Sequence, residues 1–390
     1  METFDIAIIG AGPGGTYAAY WAAKLGCSVA VFEEHEKVGE PVHCGECLSK
    51  LAAERLGLQL PQEAISCEVE GIKVIWPSRG FSFIKEPGYT LEKDKFEQYL
   101  AKLGSEMGAS YFMRHRVTGL KRQDNWQIAT TKGEYGAKIV IDASGVSAVA
   151  SNLLKLNPPM KTVIGLQYEL SDIDFGGFVE FFLWPSFAPH GYLWIIPKSS
   201  RRANVGLVTD DLPNTRSRLE KFVSEYGLAQ KSKVGRIAFG GKIPASGPVP
   251  KTYDDGLLLV GDAAGFTSPM FEGGTALAMT SGKFAAEVAS QAITKGDIGK
   301  AFLSKYEMLW KAEFPDYSAL LNGKEAAYRY SDGEWNKIGM LIPQDLTDLS
   351  ALQKLAIGAK VLFQAPGIFF KGFVPAMEAL GKSRAKYYGW

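Results

Sequence analysis

The chain has 390 residues, 46% of them hydrophobic and 22% charged, which is the balance of a folded globular protein and excludes disorder. Its 43 lysines and arginines nearly cancel 42 aspartates and glutamates, so no basic field points to nucleic acid as a partner. The length exceeds what one ordinary core fills and predicts two lobes sharing an interface.

Cys27, Cys44, Cys47 and Cys67 are too few and too unevenly placed for a secreted disulfide framework. Glu2 and Asp5 stand where a signal peptide would be basic, and no run reaches the ~18 apolar residues of a membrane-crossing helix. The expectation is a cytoplasmic, monomeric protein that does not span a bilayer.

In chain order, "FDIAIIGAGPGGTYAAYWAAKLG" predicts a strand, a glycine turn and an alanine-rich helix. The turn carries Gly10, Gly12 and Gly15 in a G-x-G-x-x-G pattern, with Pro13 and Gly14 completing a phosphate-binding loop. Gly10 permits the tight turn, Gly12 admits a pyrophosphate to the backbone, and Gly15 lets helix and strand pack closely. The helix N-terminus offers unpaired N–H groups to the phosphates.

The next strand, "SVAVFEE", places Glu33 18 residues past Gly15, close to the ~20 expected of the acid that holds ribose hydroxyls. The plainer reading is a solvated carboxylate at a strand end.

"PVHCGECLSK" sets Cys44 and Cys47 three positions apart around Gly45 and Glu46. Such spacing serves zinc, a disulfide or a redox dithiol. Zinc wants a second ligand pair, and Cys27 and Cys67 are isolated, so no metal is expected. A reducing cytoplasm disfavours a static disulfide.

A helix is predicted in "LEKDKFEQYL" with Lys93 near its start, and a strand in "HRVTGL" containing Val117. "AKIVIDASGVSAVAS" reads as a strand running into a loop at Ser144. In "PHGYLWIIP", residues 189–197, strand alternation puts Tyr192 and Trp194 on one face and Leu193 and Ile195 on the other. These aromatics make either a flat apolar wall or ordinary sheet core.

"LLLVGDAAGFTSPMFEGGTALAMTSG", residues 257–282, is a strand, a Gly261-Asp262 turn, and a helix opening near Gly274 and Thr275. Asp262 on its own would pass for a turn or cap residue. The tail from residue 355 is apolar and aromatic with scattered lysines, and Pro366-Gly367 argues against one long helix. It either covers a pocket or rests at a membrane interface, or packs on the second lobe.

Together, the two glycine fingerprints resemble those of FAD proteins of the glutathione-reductase and hydroxylase type. That resemblance implies an α/β fold: a Rossmann-like FAD-binding lobe over 1–150 with 250–290, and an α+β substrate lobe over 60–90 and 151–249 carrying an antiparallel sheet. A helical region over 291–390 would follow. It also implies Asp262 on a ribityl hydroxyl, the helix at Gly274 and Thr275 aimed at the flavin pyrimidine edge, and the Val117 backbone on adenine. Lys93 takes the place of a family arginine near the flavin. Ser144 stands where hydroxylases carry an aspartate.

"PHGYLWIIP" and "GEPVHCGECLS" together resemble the geranylgeranyl reductase family, whose pattern is Pro-x-x-Tyr-x-Trp-x-Phe-Pro. Pro189, Tyr192, Trp194 and Pro197 are in register, with Ile196 in place of phenylalanine. The resemblance implies an FAD-dependent oxidoreductase acting on CH–CH groups, saturating double bonds in geranylgeranyl or polyprenyl chains of archaeal membrane lipids or their precursors. Tyr192, Trp194 and Pro197 would then bind the chain, and Cys44, Gly45 and Cys47 would lie at the flavin site, Cys47 standing where relatives have glycine or alanine.

Cys44 is the candidate proton donor, an ordered water the other, with Glu46 tuning either. The thiols are read as a flavin-site cysteine and a small neighbour in preference to an exchanging dithiol. No second nucleotide fingerprint appears, so electrons would come from a transiently docked NAD(P)H, a deazaflavin or a ferredoxin. Two rivals stay open. One is a halogenase or monooxygenase, since "YLWIIP" also resembles Trp-x-Trp-x-Ile-Pro, and the other a non-catalytic flavoprotein that carries electrons or binds a prenyl chain.

Overall fold

The computed structural model describes residues 1–172, 176–199, 201–228, 233–234, 239–388 and 390. A first sheet runs Tyr253–Asp254, Leu257–Leu259, Glu134–Asp142, Glu2–Ile9, Val29–Glu33, Ser110–Met113, parallel throughout except at its first pair. Val29–Glu33 is buried at every position, as a parallel strand covered on both faces must be. Strands Val117–Arg122 and Trp126–Thr130 extend it as an antiparallel flap on Glu134–Asp142.

The helix Pro13–Lys24 lies against Thr275–Lys295, and glycine decides how closely. A Cβ on Gly282 would come within 2.3 Å of the Gly14 carbonyl oxygen, and one on Gly14 within 3.1 Å of the Ala278 carbonyl oxygen. Backbone therefore meets backbone, and two stretches of chain some 260 residues apart present their helix N-termini side by side.

A second sheet centres on Thr162–Ser171, Arg202–Thr209, Tyr192–Ser199 and Phe178–Phe182, antiparallel neighbours in that order. Gly71–Ile75 joins parallel to Phe178–Phe182, about 100 residues later in the chain, where no hairpin links the two. Alternation along Tyr192–Ser199 splits its side chains between two clusters. Tyr192, Trp194 and Ile196 join one, and Leu193 and Ile195 the other, with Phe182 and Phe222.

Helices Lys300–Glu313, Tyr317–Ala327, Asp332–Leu341, Ala351–Gln364 and Pro366–Lys382 follow. Ser331 and Ser350 open two of them with capping boxes to Glu334 and Gln353. Gly372, at φ +127°, and Pro375 bend the last one. Its buried residues Ile368, Phe373, Ala376 and Ala379 enter the same cluster as Tyr192 and Trp194. Among the described residues, no helix is long and apolar enough to cross a membrane.

Candidate active site

The two helix N-termini converge on a cavity of about 760 Å³. Gly10 leaves the first strand at φ +96°, where a Cβ would sit 2.6 Å from the Ala143 carbonyl oxygen, so only glycine fits that turn. Gly12, Pro13 and Gly14 border the cavity, and a Cβ on Gly12 would meet open space. Gly15 does not border it. A Cβ there would be 2.0 Å from the Gly10 carbonyl oxygen, so its part is packing. No side chain caps Pro13–Lys24, which leaves its first N–H groups to an anion.

Glu33 borders the cavity and also ties the loop down. Its Oε2 accepts from the Ala11 N–H at 2.8 Å, and its Oε1 from the His35 N–H at 2.9 Å. Val117 and Ser144 border the same side, and the Ser144 hydroxyl donates to Asp142 at 2.5 Å.

Across the cavity, Gly261 at φ +56° turns the chain and Asp262 faces in. Its Oδ1 accepts from the Thr267 hydroxyl at 2.8 Å, and burial pushes its carboxyl up. Gly274 is the N-cap of Thr275–Lys295 and, like the first helix, has no side-chain cap. Gly274 and Thr275 both border the cavity.

Cys44 and Gly45 border it as well, whereas Cys47 begins the strand Cys47–Ser49 and packs against the cluster that holds Tyr192 and Trp194. The turn between them is held from below. Glu46, at φ +73°, is buried; its Oε1 lies 2.9 Å from Lys198 Nζ and accepts from the Lys93 N–H at 3.2 Å, and its Oε2 accepts from the Asn204 amide at 2.6 Å. Gln167 donates to the Cys44 carbonyl at 2.7 Å and accepts from the Trp194 indole N–H at 2.9 Å. Burial pushes the Cys44 thiol up and the Cys47 thiol well up, so both stay protonated at neutral pH. Lys93 borders the cavity from the start of its helix. Burial pulls its ammonium down, but Glu97, 2.6 Å away, together with Cys44 and Glu46 more than offsets that and holds it raised.

Tyr192, Trp194 and Pro197 do not border the cavity. Tyr192 meets Phe271 edge-on at 5.1 Å, Phe271 stacks on Phe181 at 4.7 Å, and Trp194 lies 5.8 Å from Tyr192. The Pro197 carbonyl accepts from the Cys67 thiol at 3.3 Å. This aromatic cluster reaches the cavity through Glu272, the residue after Phe271.

Lys198, Asn204, Gln167 and Glu272 were not singled out by the sequence reading. Lys198 carried a signal, since a charge directly after the apolar run "YLWIIP" needs a buried partner.

A family model for FAD-dependent oxidoreductases matches residues 5–152, and one for the geranylgeranyl reductase catalytic domain matches 162–241. The digeranylgeranylglycerophospholipid reductase of Methanocaldococcus jannaschii is 34% identical over 379 residues, 92% of this chain and 96% of that one. The chain belongs to the digeranylgeranylglycerophospholipid reductase family.

Another such reductase, from Thermoplasma volcanium, is 32% identical over 90% of this chain and 94% of its own. A solved geranylgeranyl bacteriochlorophyll reductase-like protein from Thermoplasma acidophilum superimposes with a TM-score of 0.87 at 28% identity, over 96% of this chain and all of that one. A flavin-dependent brominase follows at 0.72 and 19% identity, a likeness of fold alone. The reductase family is an FAD-dependent one, and the cavity fits that cofactor. Two uncapped helix N-termini and the open face of Gly12 suit a pyrophosphate, and the inward Asp262 suits a polyol.

Proposed function

We propose that this protein is an FAD-dependent reductase that saturates carbon–carbon double bonds in the geranylgeranyl chains of membrane lipids or their precursors. The observation that carries the reading is a dinucleotide-sized cavity whose rim adjoins the aromatic cluster, Gly45 against Ile196 and Glu272 through the adjacent Phe271. Expressing the protein in a host that makes a polyprenyl lipid, and weighing the lipids by mass spectrometry, tests it. Gains of hydrogen pairs are expected, and an unchanged lipid profile would overturn it.

The N-terminus of Pro13–Lys24 would receive the pyrophosphate, Glu33 a ribose, the Val117 backbone the adenine, and Asp262 a ribityl hydroxyl. Gly274 and Thr275 would turn their helix N-terminus to the pyrimidine edge, where negative charge grows on reduction. When bound, FAD supplies hydride from N5. The protein must do the rest: hold the chain, keep water out and deliver a proton. Tyr192 and Trp194 give the chain a flat apolar wall, and Gln167 fixes that wall to the Cys44 turn. The raised Cys44 thiol carries a proton at the cavity edge at neutral pH, which supports it as the donor. Cys47 lies outside the cavity lining, which supports reading the pair as a flavin-site cysteine and a small neighbour.

Electrons would arrive from a transiently docked nicotinamide, deazaflavin or iron–sulfur carrier. The substrate's home is a membrane, and the tail supports peripheral contact with one. Leu352, Leu355, Phe363, Phe370 and Val374 are all exposed, and Ala351–Gln364 carries Lys354 and Lys360 but no carboxylate.

A further inference from the structure

Glu272 is a carboxylate where an apolar lining would be expected. It lies between the aromatic Phe271 and the Gly273-Gly274 turn, in the left-handed region at φ +48°, with its side chain 3% exposed. Its Oε1 accepts from Lys324 Nζ at 2.8 Å, the charge partner that a buried carboxylate needs. Its Oε2 is buried and has no partner among the described residues, and the same holds for the Tyr328 hydroxyl beside it. Glu272 borders the same cavity as Cys44 and Gly274. A salt bridge serving the fold alone would not leave an acceptor unsatisfied at the edge of the cavity that suits the flavin.

The chemistry supplies a use for that oxygen. An isoprenoid double bond has no electron-withdrawing substituent, so it does not take hydride unaided. If the π pair first captures a proton, one C–H bond forms and the neighbouring, more substituted carbon becomes electron-deficient. FAD, when bound and reduced, would supply the hydride whose two electrons close the second C–H bond. Such a carbon is stabilised by a carboxylate and by aromatic faces, whose quadrupoles attract positive charge.

We propose that Glu272, together with the π faces of Phe271 and Tyr192, is a cation-stabilising site for the more substituted carbon of the reacting double bond. The inference rests on the reductase reading above. Lys324 holds Glu272 in place through Oε1 and the Tyr192 phenol hydrogen-bonds the same carboxylate, while the buried Oε2 keeps acceptor capacity for the substrate. Tyr192 keeps its phenol proton, since burial, then the Glu272 charge and the hydrogen bond to Glu272 push its ionisation well up, so its ring stays neutral beside the carboxylate.

The test is binding, read by calorimetry on the full, flavin-loaded chain with two probes of one shape. The first is an isoprenoid amine whose tertiary ammonium replaces the electron-deficient carbon, and the second is its neutral hydrocarbon counterpart. The wild type is expected to prefer the ammonium by about tenfold or more, as charge pairing in a dry site gives. Glu272→Gln should erase that preference and leave the neutral probe within about twofold. Phe271→Leu keeps the carboxylate and most of the volume, and should lower the preference about threefold. Flavin absorbance and a thermal melt of each variant report whether it has folded. A preference that survives Glu272→Gln in folded protein, or that is missing from the wild type while the neutral probe binds, overturns the cation site. Failure of both probes on the wild type overturns the reductase reading itself.

Discussion

Lys198 and Glu46 form an ion pair of 2.9 Å in which each side chain is 1% exposed, and the pair sits directly beneath the Cys44 turn. Glu46 is a non-glycine residue at φ +73°, a conformation that surrounding contacts must enforce. Lys198 and Asn204, both from the second sheet, supply them. The pair therefore joins the sheet that carries the aromatic wall to the loop that borders the cavity.

Removing Lys198 leaves the Glu46 carboxylate buried without its ion-pair partner, held only by the Asn204 amide and the Lys93 N–H. Lys198→Met should lower unfolding free energy by about 3 kcal/mol or more, measured by urea titration, and should release flavin on dilution. Lys198→Met with Glu46→Leu should recover part of the stability but not the flavin retention, because the turn is no longer held. A double variant as destabilised as the single one would show that the pair is not the constraint.

Gly206 faces Trp194 across paired strands, and a Cβ there would be 2.4 Å from Trp194 Cζ2 and 2.6 Å from the Leu166 carbonyl oxygen. Gly206→Ala should cost about 1–3 kcal/mol and displace the indole from Gln167. Tryptophan fluorescence and KM for the lipid should both change, with kcat less affected. An unshifted KM would argue against Trp194 lining the chain.

The thiols give a pH prediction with a definite sign. Burial raises both Cys44 and Cys47 in the folded state, so the thiol form adds stability that is full below the unfolded value, about 8.5, and is lost as pH climbs through the folded values. Wild type should therefore lose more unfolding free energy between pH 7 and pH 10 than a Cys44→Ser, Cys47→Ala variant. Thiol titration under denaturant should find four groups both before and after flavin reduction. Two extra groups appearing only on reduction would establish dithiol exchange.

Asp262 touches Thr267 through one oxygen and the cavity with the rest. Asp262→Ala should weaken FAD by about tenfold or more, the worth of a charge-assisted hydrogen bond, read from flavin absorbance per chain after gel filtration. Undiminished flavin content would remove Asp262 from the cofactor's contacts.

The exposed side chains of the tail predict lipid binding. Leu352→Ser, Leu355→Ser, Phe363→Ser and Phe370→Ser together remove roughly 1.5–3 kcal/mol of burial each if the face inserts. Flotation with anionic liposomes should fall from most of the protein to little of it, while the melting temperature holds because these side chains are outside the core. Equal flotation of variant and wild type would leave the tail as packing only.

Much of the site was legible because its signals are local. Gly10, Gly12 and Gly15 act within one turn, Gly261 and Asp262 within another, and period-2 alternation placed Tyr192 and Trp194 on one face. Only the tertiary structure could decide which of two cysteines three residues apart meets the cavity. A strand begins at Cys47 and carries it to the aromatic side, leaving Cys44 at the rim. Likewise the pairing of Glu272 with Lys324, 52 residues on, or of Glu46 with Asn204, 158 residues on, leaves no trace in spacing. The amino-acid order sets the conformations a short stretch prefers, whereas partners across such distances are chosen by sheet register and helix packing, which depend on the whole chain at once.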